Sequence, residues 1–327
     1  MPIATTDFAA LTDDLQEIFK EYAADQVSDM TGVSTLFDVK DTDRRTYDYQ
    51  VLHGVSVITR VSQGQDLPRA TGEQGDSATW TQARYGGIVS VTKDMRMFDL
   101  YDEIEGVVRS ITDEAFDKVD QSAVDVLLFG WSSSYTDVYG GSQTSTTPDG
   151  LTLFSAVHSN GATATTFSNA IVNEAGTADA AFARECIKQT RSNALKHTDV
   201  HGLTRPIRLD CVSVGPDLED LAERTLFSPQ IPGEANNDIN ALKGKMKKLI
   251  VWERQGLRSD ATDTDAYWFM GDTSKAKESL KMHFAERPSL DAPEEVYSNK
   301  NWDYSVDYYY FQGRGWPAYI FGSRGTA

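Results

Sequence analysis

The chain has 327 residues and a mass of 36.2 kDa, and its 31 Lys and Arg stand against 49 Asp and Glu, a formal net charge of −18. With 40% hydrophobic and 24% charged residues it can bury a substantial core, which excludes a disordered tail and a disulfide miniprotein. The acidic balance argues against general binding to nucleic-acid phosphates or to anionic membrane surfaces, both of which need a basic face.

No apolar run approaches the roughly 20 residues of a membrane helix. Residues 1–8 lack the basic and apolar stretches of a secretory signal. Phe8, Leu11, Leu15, Ile18, Phe19 and Tyr22 recur at spacings of three and four, which predicts a first helix. Thr46 to Val61 alternates with period two and predicts a strand interrupted at Gly54. Residues 62–79 read as a polar loop with Gly64, Pro68, Gly72 and Gly75, and a second strand runs from Tyr85 to Thr92. Together they describe an extended hairpin around a Gly-rich tip.

Leu100 to Phe129 is the longest helical signal. Ile104, Val108, Ile111, Ala115, Phe116, Val119, Ala123 and Leu127 form one apolar stripe, and acidic residues occupy the opposite face. Thirty residues span roughly 45 Å. Residues 132–149, rich in Ser, Thr and Gly, read as a surface loop closed by Pro148-Asp149-Gly150. Thr177 to His197 predicts a helix, Ile207 to Val214 a strand, and Asp217 to Leu226 a short helix started by Pro216. Lys247 to Glu253 and Tyr267 to Gly271 read as buried strands. The chain ends in aromatic strands, with Tyr304, Val306, Tyr308 and Tyr310 on one side, then Trp316 to Phe321. The class is α+β, and its long hairpin and long helix overrun a single compact core.

Candidate chemistry is sparse. His197 and His201, four apart, could face a metal only if the helix continued past Gly202. Asp260, Asp263 and Asp265 alternate as calcium ligands can, but without the Gly and Glu of an EF-hand loop they read as a solvated turn. Gly313-Arg314-Gly315 opens no helix and is no phosphate loop. His158 beside Ser159 does not make a triad, because a triad is spatial. Cys186 and Cys211 read as buried free thiols suited to a reducing cytoplasm. Asp outnumbers Glu about two to one and the acids are spread along the whole chain, as on a solvated acidic surface. Lys243 to Lys248 is the single basic patch. No cofactor or catalytic residue is expected.

The order of parts carries more information than any site. An N-terminal arm, extended hairpin, long acidic-faced helix, central α/β region and returning strands resemble a tailed-phage major capsid protein. Tyr85-Gly86-Gly87-Ile88-Val89-Ser90-Val91-Thr92-Lys93-Asp94 resembles the return strand of that family's extended loop, the E-loop. Asp149-Gly150-Leu151-Thr152-Leu153-Phe154, followed by His158-Ser159-Asn160, resembles a turn of phage head proteins, and Val212-Ser213-Val214-Gly215-Pro216-Asp217 the strand entering the axial domain.

The resemblance implies the Hong Kong 97-type fold. Its parts would be an arm over 1–46, an E-loop hairpin over 47–95, and a peripheral domain over 96–199 with a spine helix over 100–129. An axial domain over 200–285 and returning peripheral strands over 286–327 would complete it. It implies a structural subunit that assembles with itself into hexamers and pentamers and encloses double-stranded DNA without reading its sequence. Assembly would take place in the host cytoplasm, without a membrane partner, to give the virion capsid. Scaffolding, portal and decoration proteins are the implied further partners. The chain starts at the arm, which implies a separate scaffold or none. Leu67, Pro68, Arg69, Trp80, Phe8 and Phe19 are the expected inter-subunit contacts. An encapsulin-like compartment shell shares the fold and is the alternative. A carboxylate-based hydrolase or a glycan-binding domain comes after it.

The best-known member of the resembled family joins an E-loop lysine to a neighbour's asparagine. Residues 51–92 of this chain contain no lysine. Assembled material boiled with reductant should therefore run as one band near 36.2 kDa. A ladder of covalent multimers would contradict this.

Overall fold

The computed structural model describes residues 15–325 except 22, 25–29, 53–57, 59, 68, 70–73, 99, 100, 160–165, 200, 201, 232–237 and 257. In chain order the elements are α1 (Thr31–Leu36), β1 (Asp38–Asp41), β2 (Thr46–Leu52), β3 (Gln74–Thr81), β4 (Ala83–Val91), α2 (Lys93–Met97) and α3 (Tyr101–Leu128). The middle holds β5 (Ser134–Thr136), β6 (Ser142–Thr144), β7 (His158–Ser159), β8 (Thr166–Phe167), α4 (Arg184–Leu195), β9 (Cys211–Val214) and α5 (Glu219–Phe227). The last part holds β10 (Lys248–Val251), β11 (Trp268–Gly271), α6 (Ala276–Ser279), β12 (Leu280–Leu290), β13 (Glu294–Glu295), β14 (Trp302–Arg314) and β15 (Ile320–Ser323).

Two sheets organise two cores. In the larger sheet β14 is antiparallel to both β12 and β4, β13 pairs with its first residues, and β1 joins β12 in parallel. The smaller sheet has the order β10-β9-β11-β15. Its fourth strand comes from residues 320–323, whereas the resemblance implies that they belong with the returning peripheral strands. Residues 280–285 likewise belong to β12 and the larger sheet, not to the β9–β11 unit.

The alternation of β14 places Tyr304, Val306, Tyr308 and Tyr310 on the buried face, each at most 3% exposed. They share a core with Ile104, Val108, Phe116, Val119, Ala123 and Leu127 of α3. Each such side chain contributes about 1.5–3 kcal/mol by leaving water. The hydroxyls do not enter the core unpartnered. Tyr310 Oη lies 2.8 Å from Ser122 Oγ and donates to Tyr139 Oη at 3.2 Å, and Tyr139 Oη lies 3.1 Å from Tyr308 Oη.

The long helix follows the sequence reading to within a residue at each end. Its C-terminus shows why it stops there. Phe129 N donates to Asp125 O and Gly130 N to Leu127 O. The Val126 carbonyl between them accepts from Nε (3.2 Å) and Nη2 (2.6 Å) of Arg314. This guanidinium is 3% exposed, and its charge complements the negative end of the helix dipole.

Three elements differ from what the sequence predicts. The hairpin partner of Thr46–Leu52 is Gln74–Thr81, whereas Ala83–Val91 pairs with residues 302–310 more than 200 positions away. Two consecutive alternating runs look alike in sequence, and the break between strands at Gln82 lets the second cross to the main sheet. The helix expected from Thr177 starts at Arg184, because Thr177 and Ala178 close a turn on Val172 and Asn173 instead. The polar stretch 132–149 is a folded hairpin, β5–β6, with Tyr135, Asp137, Ser145 and Thr147 buried.

Asp125 of α3 is fully buried. Its Oδ1 accepts from Gln121 Nε2 and from Ser259 N, while Oδ2 has no hydrogen-bond partner among the described residues. Burial pushes its pKa up to about 6. Between its ordinary value and about 6, the folded chain holds a proton that the unfolded chain has released. Its contribution to stability therefore falls as pH rises through that window. Asp125→Asn should stabilise the subunit at pH 7.5 by about 3 kcal/mol, and most of that gain should be lost near pH 4. Urea unfolding of both proteins at the two pH values checks this. An equal difference at both would contradict it.

Candidate functional site

The ribbon β2–β3 stands on an aromatic base. Cross-strand register sets Tyr47 opposite Trp80 and Tyr49 opposite Ala78. The Trp80 ring lies 5.5 Å from Tyr49, 6.2 Å from Tyr47 and 5.8 Å from Phe311 of β14, the last two stacked. Tyr47 also stacks on Phe311 at 5.7 Å and meets His283 edge-on at 4.8 Å.

Two glycines make the seat. A Cβ on Gly313 would stand 2.4 Å from the Trp80 indole, and one on Gly315 would stand 2.2 Å from the Glu278 carbonyl oxygen. Tyr49 Oη accepts from Trp316 N at 3.3 Å, and burial raises its pKa. Beside the base, Asp38 of β1 accepts from Lys40 and Lys281, both at 2.9 Å. Burial pushes the Asp38 pKa up, but the two ammoniums outweigh it and hold the carboxyl below its ordinary value.

Past the base Val51 is still buried, whereas the described residues that join β2 to β3 are largely exposed. Ser62 to Leu67 and Arg69 are all exposed, Leu67 at 79%, and Ile58 is wholly so. Gly64, at φ +86°, makes the turn there. Along the β4 edge of the larger sheet, which has no further strand among the described residues, Ile88 is 69% exposed beside a groove of about 610 Å³ between β4 and α3.

The turn Asp149–Phe154 is a second built feature. Gly150 takes φ +77°, and Asp149 accepts from Leu151 N at 3.2 Å. His158 is fully buried, with Nδ1 2.7 Å from Asp149 Oδ2 and Nε2 3.1 Å from the Leu153 carbonyl. Phe154 fills a slot between Gly130 and Gly322, at each of which a Cβ would strike its ring. Asn169 Nδ2 donates to the carbonyls of Leu153, Pro317 and Ile320, tying the turn to β15.

The expected contact residues separate. Leu67 and Arg69 are exposed on the ribbon, whereas Pro68 and Phe8 lie outside the described residues. Trp80 is half-buried against its own chain. Phe19, 2% exposed, belongs to the subunit's core, because its apolar face packs inward beside Leu15. The signal that sequence reasoning missed was Gly313 and Gly315, spaced to accept Trp80 and Tyr49.

The sites weighed for chemistry do not converge. Helix α4 ends at Leu195, so His197 is not on it; His197 packs edge-on against Phe167, burial lowers its pKa, and His201 lies outside the described residues. Among the described residues no group of His, Cys, Asp and Glu could hold a metal, and no helix is long and apolar enough to cross a membrane. Cys186 and Cys211 are buried free thiols, and burial pushes Cys211 up to about 12.

A family of phage capsid proteins matches residues 76–317, about three quarters of the chain. Among solved structures, the capsid of Myoviridae phage XM1 superposes with a TM-score of 0.52 at 8% identity, over 90% of this chain and 91% of that one. The capsids of an empty and a native GTA particle both superpose with a TM-score of 0.55, at 12% and 11% identity, over 90% of this chain and 89% of theirs. At these identities the likeness is one of fold. No curated protein matches by sequence.

The aromatic base should carry the attachment of the ribbon. Trp80→Ala should destabilise the subunit by about 2 kcal/mol. Gly313→Val should displace the indole and speed tryptic cleavage at Arg60 and Arg69. Denaturant unfolding and timed proteolysis check both. A Gly313→Val chain cleaved at the wild-type rate would contradict the seat described.

Proposed function

The chain belongs to the phage capsid protein family, and from that premise we propose that its copies group into hexamers and pentamers that close an icosahedral head shell around double-stranded DNA. The role is that of a major capsid protein, structural and not enzymatic, and its place is the virion capsid. The family match favours a genome-bearing head over a cargo compartment.

The observation that carries the assembly reading is the ribbon β2–β3. Its base is held by Trp80 on Gly313, and beyond the base Ile58 and Leu67 are exposed. A two-stranded ribbon on its own is marginal in water. Exposed apolar groups beyond a fixed base gain most by meeting another surface. Leu67, Pro68 and Arg69 are assigned to a contact with a neighbouring copy, with the β4 edge around Ile88 as a second surface. Phe8 is kept as an arm contact. The residue ranges of the arm, hairpin, peripheral and axial parts are adopted with the strand assignments corrected above. The acidic chain repels DNA phosphates, so it would enclose a genome without reading its sequence. Portal, scaffolding and decoration proteins are the further partners this reading brings in.

Replacing residues 60–69 with a short Gly-Ser turn leaves the paired parts of β2 and β3 and the Trp80 seat in place. The variant should unfold cooperatively at a temperature close to wild type and form no closed shells by negative-stain microscopy. Normal shells from the variant would overturn the bridging role. A variant that aggregates or loses cooperative unfolding would place the tip in the subunit core.

A further inference from the structure

The smaller sheet has oppositely charged ends. Its register puts Cys211, Lys248, Gly271 and Ile320 at one end and Val214, Val251, Trp268 and Ser323 at the other. Three residue steps separate the ends by about 10 Å.

At the first end a groove of about 510 Å³ is lined by Arg191, Arg208, Lys245 and Lys247, with Asp210 and Asp272. Both acids are engaged inside the fold. Asp210 accepts from Thr273 N and Oγ1, each at 2.9 Å, and Asp272 accepts from Ser274 N and Arg208 N. Arg208 and Lys245 are exposed and have no ion pair among the described residues. Lys247 is 75% exposed and 3.6 Å from Asp210. This end therefore offers surplus positive charge on a chain of net charge −18.

The other end carries the opposite sign. Asp217 follows β9 by three residues, and Asp263 and Asp265 precede β11. None of the three has an ion pair among the described residues, and the nearby cation Arg324 is engaged by Asp179. Burial, then the Asp217 and Asp263 carboxylates, raise the pKa of Asp265, as expected where like charges meet without a cation. These acids do not form a metal site.

We infer that the two ends of this sheet are the faces of a head-to-tail contact between copies of the chain, the basic end of one copy meeting the acidic end of the next. A contact between two different patches of one chain is heterologous, and it closes into a ring when its rotation divides the circle. That is the geometry hexamers and pentamers require, so the inference rests on the shell reading above. A second copy is preferred over a nucleic acid because the complement of the basic end lies on the same domain. Opposed charges of this kind set orientation and partner choice.

The test uses the full-length chain and three variants: Lys245→Glu with Lys247→Glu, Asp217→Lys with Asp263→Lys, and all four together. Sedimentation velocity at low ionic strength measures the assembled fraction, and urea unfolding confirms that each unassembled chain is folded. Each reversed pair alone should lower the association constant about tenfold, and the fourfold variant should return to within about threefold of wild type. A second arm joins the faces directly. In a Lys245→Cys/Asp263→Cys chain, diamide should take up the two thiol hydrogens and leave one disulfide between neighbours, giving a ladder of linked copies. Wild type that stays monomeric throughout would overturn the shell reading and this contact with it. Wild type that assembles, with reversals that are inert or a fourfold variant that is not restored, would overturn the contact alone. So would the absence of linked copies from the cysteine variant. Loss confined to the basic reversal would point to a polyanion in place of a second copy.

Discussion

Strand β14 packs its tyrosine face onto the long helix α3, and the larger half of the molecule takes its geometry from that contact. Tyr304, Val306, Tyr308 and Tyr310 fill the space against α3. The same strand pairs with β12 on one edge and β4 on the other. Its last residues do two further things. Gly313 receives Trp80, which seats the ribbon, and Arg314 reaches the Val126 carbonyl, which closes the helix. Displacing β14 would therefore disturb the sheet, the helix end and the ribbon together, because interiors packed this densely relax only in part.

A subunit that must meet several neighbours needs a rigid body with defined projections. Here rigidity comes from polar groups that are buried and satisfied. The Tyr139, Tyr308, Tyr310 and Ser122 hydroxyls bond one another under the sheet. Asn169 ties the Asp149 turn to β15, and His158 is held between a carboxylate and a carbonyl. Such networks specify one arrangement, since any alternative leaves a buried polar atom without a partner. Among the large apolar groups that stay exposed, Ile58, Leu67 and Ile88 lie on the ribbon and on a sheet edge. Those are the places where another chain could cover them without disturbing the body.

Much of this was legible in the residues. The apolar stripe of α3 and the alternation of β14 are local periodicities, and both elements lie where their patterns put them. The Asp149-Gly150 turn was visible as a motif, although its reason, the Asp149–His158 pair, needed the fold. Membership of a phage capsid family was approached through the order of parts, since no single motif was specific.

What the sequence by itself determined was the set of elements with strong local periods, the acidic surface, the two buried thiols and the absence of lysine between residues 51 and 92. Tertiary structure alone decided which strands are partners. Residues 83–91 pair with residues 302–310, and residues 320–323 complete the smaller sheet. It also decided that Phe19 is core, and that Trp80 finds its seat on a glycine more than 200 residues away. The physical reason is the range of the interactions. Periodicity follows from neighbouring φ and ψ angles, whereas strand pairing and ring packing depend on which distant segments fill the same space. The charge separation of the smaller sheet is of the second kind. Its lysines and aspartates lie in separate loops, and only the register of β9, β10 and β11 places them at opposite ends.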